Sequence, residues 1–132
     1  MKEPCWIDAR ALVLLHEESL AEHGGLRGLR DENGFHAAMA RPQHVFSYEP
    51  DTDLSHLAAA YGFGLVRDHP FTDGNKRAGF LAILLFLDLN GFDFRVEQPE
   101  AIQTILKLAA GKMSESELAS WVRDHIRRSK KL

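Results

Sequence analysis

Apolar residues recur at helical spacing through most of the chain. Asp8 can cap a helix carrying Ala11, Leu12, Leu15 and Leu20 on one side, and Gly24-Gly25 ends it while Gly28 keeps the connector loose. A short helix is expected over 34–40, stopping near Arg41 because Pro42 disfavours helical geometry in its predecessor. Val45-Phe46-Ser47-Tyr48 alternates apolar with polar and predicts an extended flap or edge segment. Asp51 or Asp53 starts the next helix, with Leu54, Leu57, Ala58, Tyr61 and Leu65 on one stripe and Ala59, Ala60, Gly62 and Gly64 admitting a close neighbour. That helix ends around Asp68, since Pro70 pushes His69 into an extended geometry.

The run from Asn75 to Leu89 is apolar on all sides and predicts an enclosed central helix, stopped by Asn90-Gly91. Phe92-Asp93-Phe94-Arg95-Val96 alternates as a short strand, and one β-flap results if it pairs with the Val45 segment. Pro99 opens a helix over 101–110, closed by Gly111. Ser114 and Glu117 form a capping-box pattern for a last helix turning Leu118, Trp121, Val122 and Ile126 inward. The pattern is that of one all-α domain over 1–132, a compact bundle of about six helices around a buried central helix.

Composition narrows the classes. At 132 residues, 45% hydrophobic and 27% charged, the chain suits an ordinary folded core. A formal net charge of −3 argues against direct nucleic-acid binding. The single Cys5 excludes an internal disulfide and fits a reducing compartment. The longest apolar stretch, 79–87, is too short for a membrane span, and the N-terminal run over 11–15 is too short for a secretory leader, so a cytoplasmic location is expected.

The chemistry concentrates in His69-Pro70-Phe71-Thr72-Asp73-Gly74-Asn75-Lys76-Arg77, where a loop feeds the start of a helix. Backbone N–H groups point outward there and attract anions. Lys76 and Arg77 fall in the first turn, where the macrodipole disfavours each cation by roughly 0.3–1 kcal/mol, and a polyphosphate would compensate both. Imidazole titrates near neutrality, so His69 suits a general base for an attacking hydroxyl. Asp73 is a hard oxygen ligand for Mg²⁺ held jointly with phosphates. Gly74 permits close backbone approach, Asn75 offers amide donors, and Lys76 and Arg77 grip phosphate oxygens. Phe71 is expected to point the other way and anchor the turn.

These residues resemble the signature of the Fic/Doc superfamily, His-x-Phe-x-Asp/Glu-Gly-Asn. The similarity extends to Leu15-His16, to His23-Gly24-Gly25-Leu26-x-Gly28 and to Leu84-Leu85-Phe86-Leu87-x-x-Asn90-Gly91, features like those of the death-on-curing (Doc) toxin branch. Lys76 stands where adenylylating members have a second glycine, and Phe80 where they have a later arginine. The Asn75-Lys76-Arg77 version resembles the branch whose members are kinases, with the terminal phosphoryl group of ATP facing the histidine. The resemblance implies a toxin that phosphorylates a Thr or Ser hydroxyl on a translation factor, elongation factor Tu, and halts protein synthesis. It implies His69 as catalytic base, Asp73 as the Mg²⁺ ligand, and Gly74, Asn75, Lys76, Arg77 and a preceding Arg67 on ATP. No Ser/Thr-x-x-x-Glu-Gly/Asn inhibitory motif is present, so restraint is expected from a small Phd-like antitoxin whose tail folds into a groove.

Plainer readings stand beside these. Asp73 could simply cap the helix, and Lys76 and Arg77 could be solvated charges. His16, His23, His36, His44, His56 and His125 lack metal-ligand spacing and read as packing or surface residues. Arg123, Arg127, Arg128, Lys130 and Lys131 read as a cationic helix end that complements the dipole. Two other functions remain open: transfer of AMP on the same fold, and a catalytically silent binding module.

Overall fold

The computed structural model describes residues 2–130. Among them six helices form in chain order: α1 (Ala9–His23), α2 (Glu32–Tyr48), α3 (Leu54–Asp68), α4 (Asn75–Leu89), α5 (Gln98–Ala109) and α6 (Glu115–Arg123). Strand β1 (Phe92–Phe94) follows α4 and β2 (Ile126–Arg128) follows α6. The carboxylates of Asp8, Asp31 and Asp53 accept first-turn N–H groups and start α1, α2 and α3. Ser114 and Glu117 complete the expected capping box of α6. The all-α bundle is as expected.

Its innermost element is α3 rather than α4. Ten residues of α3 are buried, and it packs on α2, α4, α5 and α6. Helix α4 instead leaves Phe80, Leu81, Leu84 and Leu85 only half-buried and Leu89 exposed. The small residues of α3 decide this, because they let neighbouring backbones come close. A Cβ on Gly62 would lie 2.7 Å from Ile83 Cδ1, and one on Gly64 3.2 Å from Ala38 Cβ. Gly79 answers from α4, where a Cβ would lie 2.5 Å from Val66 Cγ2. Arg41 of α2 and His56 of α3 both donate to the Glu115 carboxylate at the start of α6, at 2.7 and 3.1 Å. The chain preceding α1 is tied in by the Ile7 N–H, which donates to the Tyr61 hydroxyl at 3.1 Å. Burial holds that phenol above its ordinary pKa, so it stays neutral.

Several expectations about local structure are overturned. Helix α2 runs through Pro42 to Tyr48, so the Val45 segment is helical and is no flap. Pro42 forfeits one helical hydrogen bond, but its ring is buried along with Phe35, Ala38 and Met39, and packing outweighs the local penalty. Strand β1 therefore pairs elsewhere, antiparallel to β2, with Phe92 opposite Arg128 and Phe94 opposite Ile126. Ile126 lies on that strand rather than on α6, which ends at Arg123. Of the basic run only Arg123 occupies a last helical turn; Arg127 and Arg128 belong to β2, and Lys131 lies outside the described residues. No helix among the described residues is long and apolar enough to cross a membrane.

Candidate active site

Helix α3 stops at Asp68, and His69 caps it in the left-handed region at φ 51°, ψ 52°. No other non-glycine residue among those described has a positive φ. This corrects the extended geometry expected before Pro70. A left-handed residue with a Cβ costs about 1–2 kcal/mol, so something must hold it. The segment 28–31 does so. Arg30 Nε donates to the His69 carbonyl at 3.0 Å, and the N–H groups of Arg30 and Asp31 donate to the Pro70 carbonyl at 2.8 and 3.0 Å. The Thr72 N–H donates to the Gly28 carbonyl at 2.9 Å, and Leu29 bridges Phe71 antiparallel. While its backbone is pinned, the His69 side chain is exposed and its ring has no hydrogen bond among the described residues.

Beneath the loop, Phe71 is buried as expected, stacked on His16 with centroids 3.8 Å apart and edge-on to Phe35. Asn75 spends most of its side chain inward. Its Oδ1 accepts the Phe71 N–H at 2.8 Å and its Nδ2 donates to the Phe71 carbonyl at 3.0 Å, leaving one amide hydrogen. Asn75 is thus first a lock on the turn.

His16 is the residue that reasoning from spacing missed. It is buried on α1, and its Nε2 lies 2.7 Å from the Asp73 carbonyl oxygen. A carbonyl only accepts, so Nε2 carries the proton. A Cβ on Gly74, whose φ is 75°, would sit 3.1 Å from that nitrogen, so His16 and the glycine fit each other. The one available signal was its place in the Leu15-His16 pair of the resemblance.

Asp73 is exposed, but its carboxylate is already oriented. Oδ1 accepts the Gly74 N–H at 2.9 Å and Oδ2 the Leu26 N–H at 3.2 Å. No group of three His, Cys, Asp or Glu that could hold a metal occurs among the described residues. A single carboxylate suits Mg²⁺, which keeps its waters and shares substrate phosphates, better than an ion needing a protein cage.

Gly74 gives α4 no side-chain cap, so the first N–H groups of α4 are left for water or an anion. Lys76 and Arg77 are exposed and make no ion pair among the described residues. They open onto a groove of about 300 Å³ between α4 and α5. Arg67 is turned away, its guanidinium 5.5 Å above the Phe63 ring and beside Gly111. Of the residues considered, Lys76 and Arg77 line this groove together, while Arg67 is held against Phe63.

A histidine exposed on a left-handed helix end, followed by an uncapped helix bearing two cations, defines a candidate site for handling an anion. The model of the Fic/DOC family matches residues 6–87, a span holding α1 through most of α4, and the chain belongs to that family. It is 34% identical over 117 residues to "Protein kinase doc" of Escherichia phage P1, an alignment covering 89% of this chain and 92% of that protein. It is 39% identical over 82 residues to "Toxin Doc" of Mycolicibacterium smegmatis, covering 58% of this chain and 63% of that protein.

Proposed function

We propose that this chain is the toxin of a toxin–antitoxin module, a kinase that moves the γ-phosphoryl group of ATP to a hydroxyl of a protein. The observation that carries the reading is the exposed imidazole of His69, without a hydrogen bond among the described residues, six residues before an uncapped helix start in a loop whose other polar groups are bonded within the loop or to α1 and residues 26–31. The similarity to a protein kinase and a toxin of the same family supports it.

In this reading a ring nitrogen of His69 takes the proton of the target hydroxyl as its oxygen attacks the γ-phosphorus. The bond from that phosphorus to the β–γ bridging oxygen breaks, and ADP leaves. Lys76 and Arg77, with the first N–H groups of α4, hold phosphate oxygens, while Gly74 keeps the approach clear. Asp73 would hold Mg²⁺, which would neutralise charge on the phosphates. The target class is a translation factor, elongation factor Tu by resemblance, met in the cytoplasm, and the restraining partner is a Phd-like antitoxin. Asn75 contributes through the loop it locks, and Arg67 has the weakest support of the residues considered.

The test is to supply ATP labelled at the γ or the α phosphate to cytosol containing the protein. Label from γ should stay on a protein, and His69→Ala should lower transfer by about 10²–10⁴-fold without loss of helicity. Label retained from α would replace the kinase reading with AMP transfer. A His69→Ala variant as toxic as the parent would point to a binding module instead.

A further inference from the structure

Helix α3 ends on a left-handed residue without the bonds that ordinarily close such an end. Those bonds come from the N–H of the left-handed residue and the N–H of the residue after it, each to a carbonyl of the last turn. His69 makes no such backbone bond among the described residues, whereas the caps of α1, α2, α4, α5 and α6 all do. Pro70 has no N–H to give. A residue before proline is also crowded toward the extended region. Local chemistry alone therefore favours an extended His69, and the left-handed form needs help from outside.

Arg30 supplies it. Its Nε donates to the His69 carbonyl at 3.0 Å, Nη2 donates to the same oxygen, and Nη2 also reaches the Asp68 carbonyl at 3.4 Å. The planar guanidinium presents these donors in a fixed fork, and a cation beside the carbonyl end of a helix suits its dipole. Arg30 is exposed and pairs with no carboxylate among the described residues, so its side chain is committed to this helix end.

We propose that Arg30 is a positioning residue for the phosphoryl transfer: its guanidinium keeps His69 left-handed and so keeps the imidazole presented to the target hydroxyl. The inference rests on the kinase reading above. Pro70 and Phe71 are buried while His69 is exposed, so a change of φ and ψ at His69 swings its ring and leaves the anchored residues behind. The guanidinium is also separable from the rest of the support. The N–H groups of Arg30 and Asp31 hold the Pro70 carbonyl, and the Thr72 N–H holds the Gly28 carbonyl, all without the Arg30 side chain. Truncating that side chain removes the fork and keeps the segment docked. Arg27 provides a charge-matched control, because its guanidinium is bonded to Glu17 of α1 and makes no bond to the loop.

The experiment compares the parent, Arg30→Ala and Arg27→Ala as full chains. One arm follows transfer from γ-labelled Mg²⁺–ATP to purified elongation factor Tu. The other reads the ¹³Cα and ¹³Cβ shifts of His69, which report its backbone conformation. Arg30→Ala should lower kcat by roughly ten- to a hundred-fold, the scale expected of a misplaced catalytic group, while KM for ATP stays within about two-fold. Its His69 shifts should move from left-handed toward extended values, and Arg27→Ala should change neither arm. An unchanged kcat in Arg30→Ala overturns the proposal. So does a lowered kcat with unmoved His69 shifts, or an equal loss in Arg27→Ala, which would make the effect one of general charge. A fall in kcat matched by lost helicity would assign Arg30 to the fold and overturn it too. A parent that transfers nothing counts against the kinase reading, and the shifts still decide whether Arg30 holds His69.

Discussion

Helix α6 begins with Ser114 accepting the Glu117 N–H at 3.1 Å and Glu117 accepting the Ser114 N–H at 2.9 Å, with Glu115 beside them in the first turn. Helix α4 begins with a glycine that offers no acceptor and continues with Lys76 and Arg77, with no acidic residue in its first turn. Both are helix starts facing solvent, and they treat the same orphan N–H groups in opposite ways. At α6 the protein satisfies them itself and matches the macrodipole. At α4 it leaves them open and adds positive charge, so that a bound anion gains from both. The contrast shows an α4 start left without a cap or a matching charge, while the loop before it is held by contacts from α1 and the 28–31 segment; under the proposed function a phosphate chain would relieve that start.

The sharpest way to break this contrast is to remove the support under the α4 start. His16→Ala deletes a buried ring stacked on Phe71 and the donor to the Asp73 carbonyl, and should cost about 2–4 kcal/mol. Calorimetry should show Tm falling by roughly 7–14 °C, with transfer activity falling beyond what lost folding explains. An unchanged Tm would mean that the loop keeps its form without α1.

A smaller effect is expected at the satisfied end. Ser114→Ala should lower stability by about 0.5–2 kcal/mol in denaturant unfolding while nucleotide affinity stays put. The opposite sign is expected at the open end. Lys76→Glu should stabilise the free protein by about 0.3–1 kcal/mol, since the charge now suits the dipole, and weaken ATP binding. Destabilisation together with unaltered affinity would show that Lys76 serves the fold and not an anion.

Acid gives the smallest and most local difference. The Ser114 N–H and hydroxyl hold the Glu117 carboxyl below the ordinary glutamate range. Its contribution is present above the unfolded-state value of about 4.3 and is lost as pH falls through the lower folded value. Amide exchange at the start of α6 should accelerate across that window and be flat there in Glu117→Gln, whereas the first-turn N–H groups of α4, which no side chain caps, should not respond through Glu117.

Where periodicity and capping agreed, the sequence was legible. Asp8, Asp53 and the Ser114–Glu117 pair begin helices as their chemistry predicts, and the nine-residue loop lies in one place with His69 exposed. Local rules failed where distant contacts overrode them. Pro42 did not stop α2, because the proline ring gained a buried position. Alternation marked β1 as a strand but named no partner, and the partner lies beyond α6. His69 is left-handed rather than extended because Arg30, far off in the chain, binds its carbonyl. His16 carried no signal in its spacing, only its place in the Leu15-His16 pair, since its role depends on the packing of α1 beneath the loop.

By itself the sequence determined the helical period, most helix starts and the order of groups in the loop, because those depend on residues within a turn or two of one another. Only the tertiary structure decided that α3 rather than α4 is innermost, that β1 closes on β2, and that His16 and Arg30 hold the loop. These follow from which small residues allow close approach and which distant donors find an unsatisfied carbonyl, and neither is written at any fixed spacing along the chain.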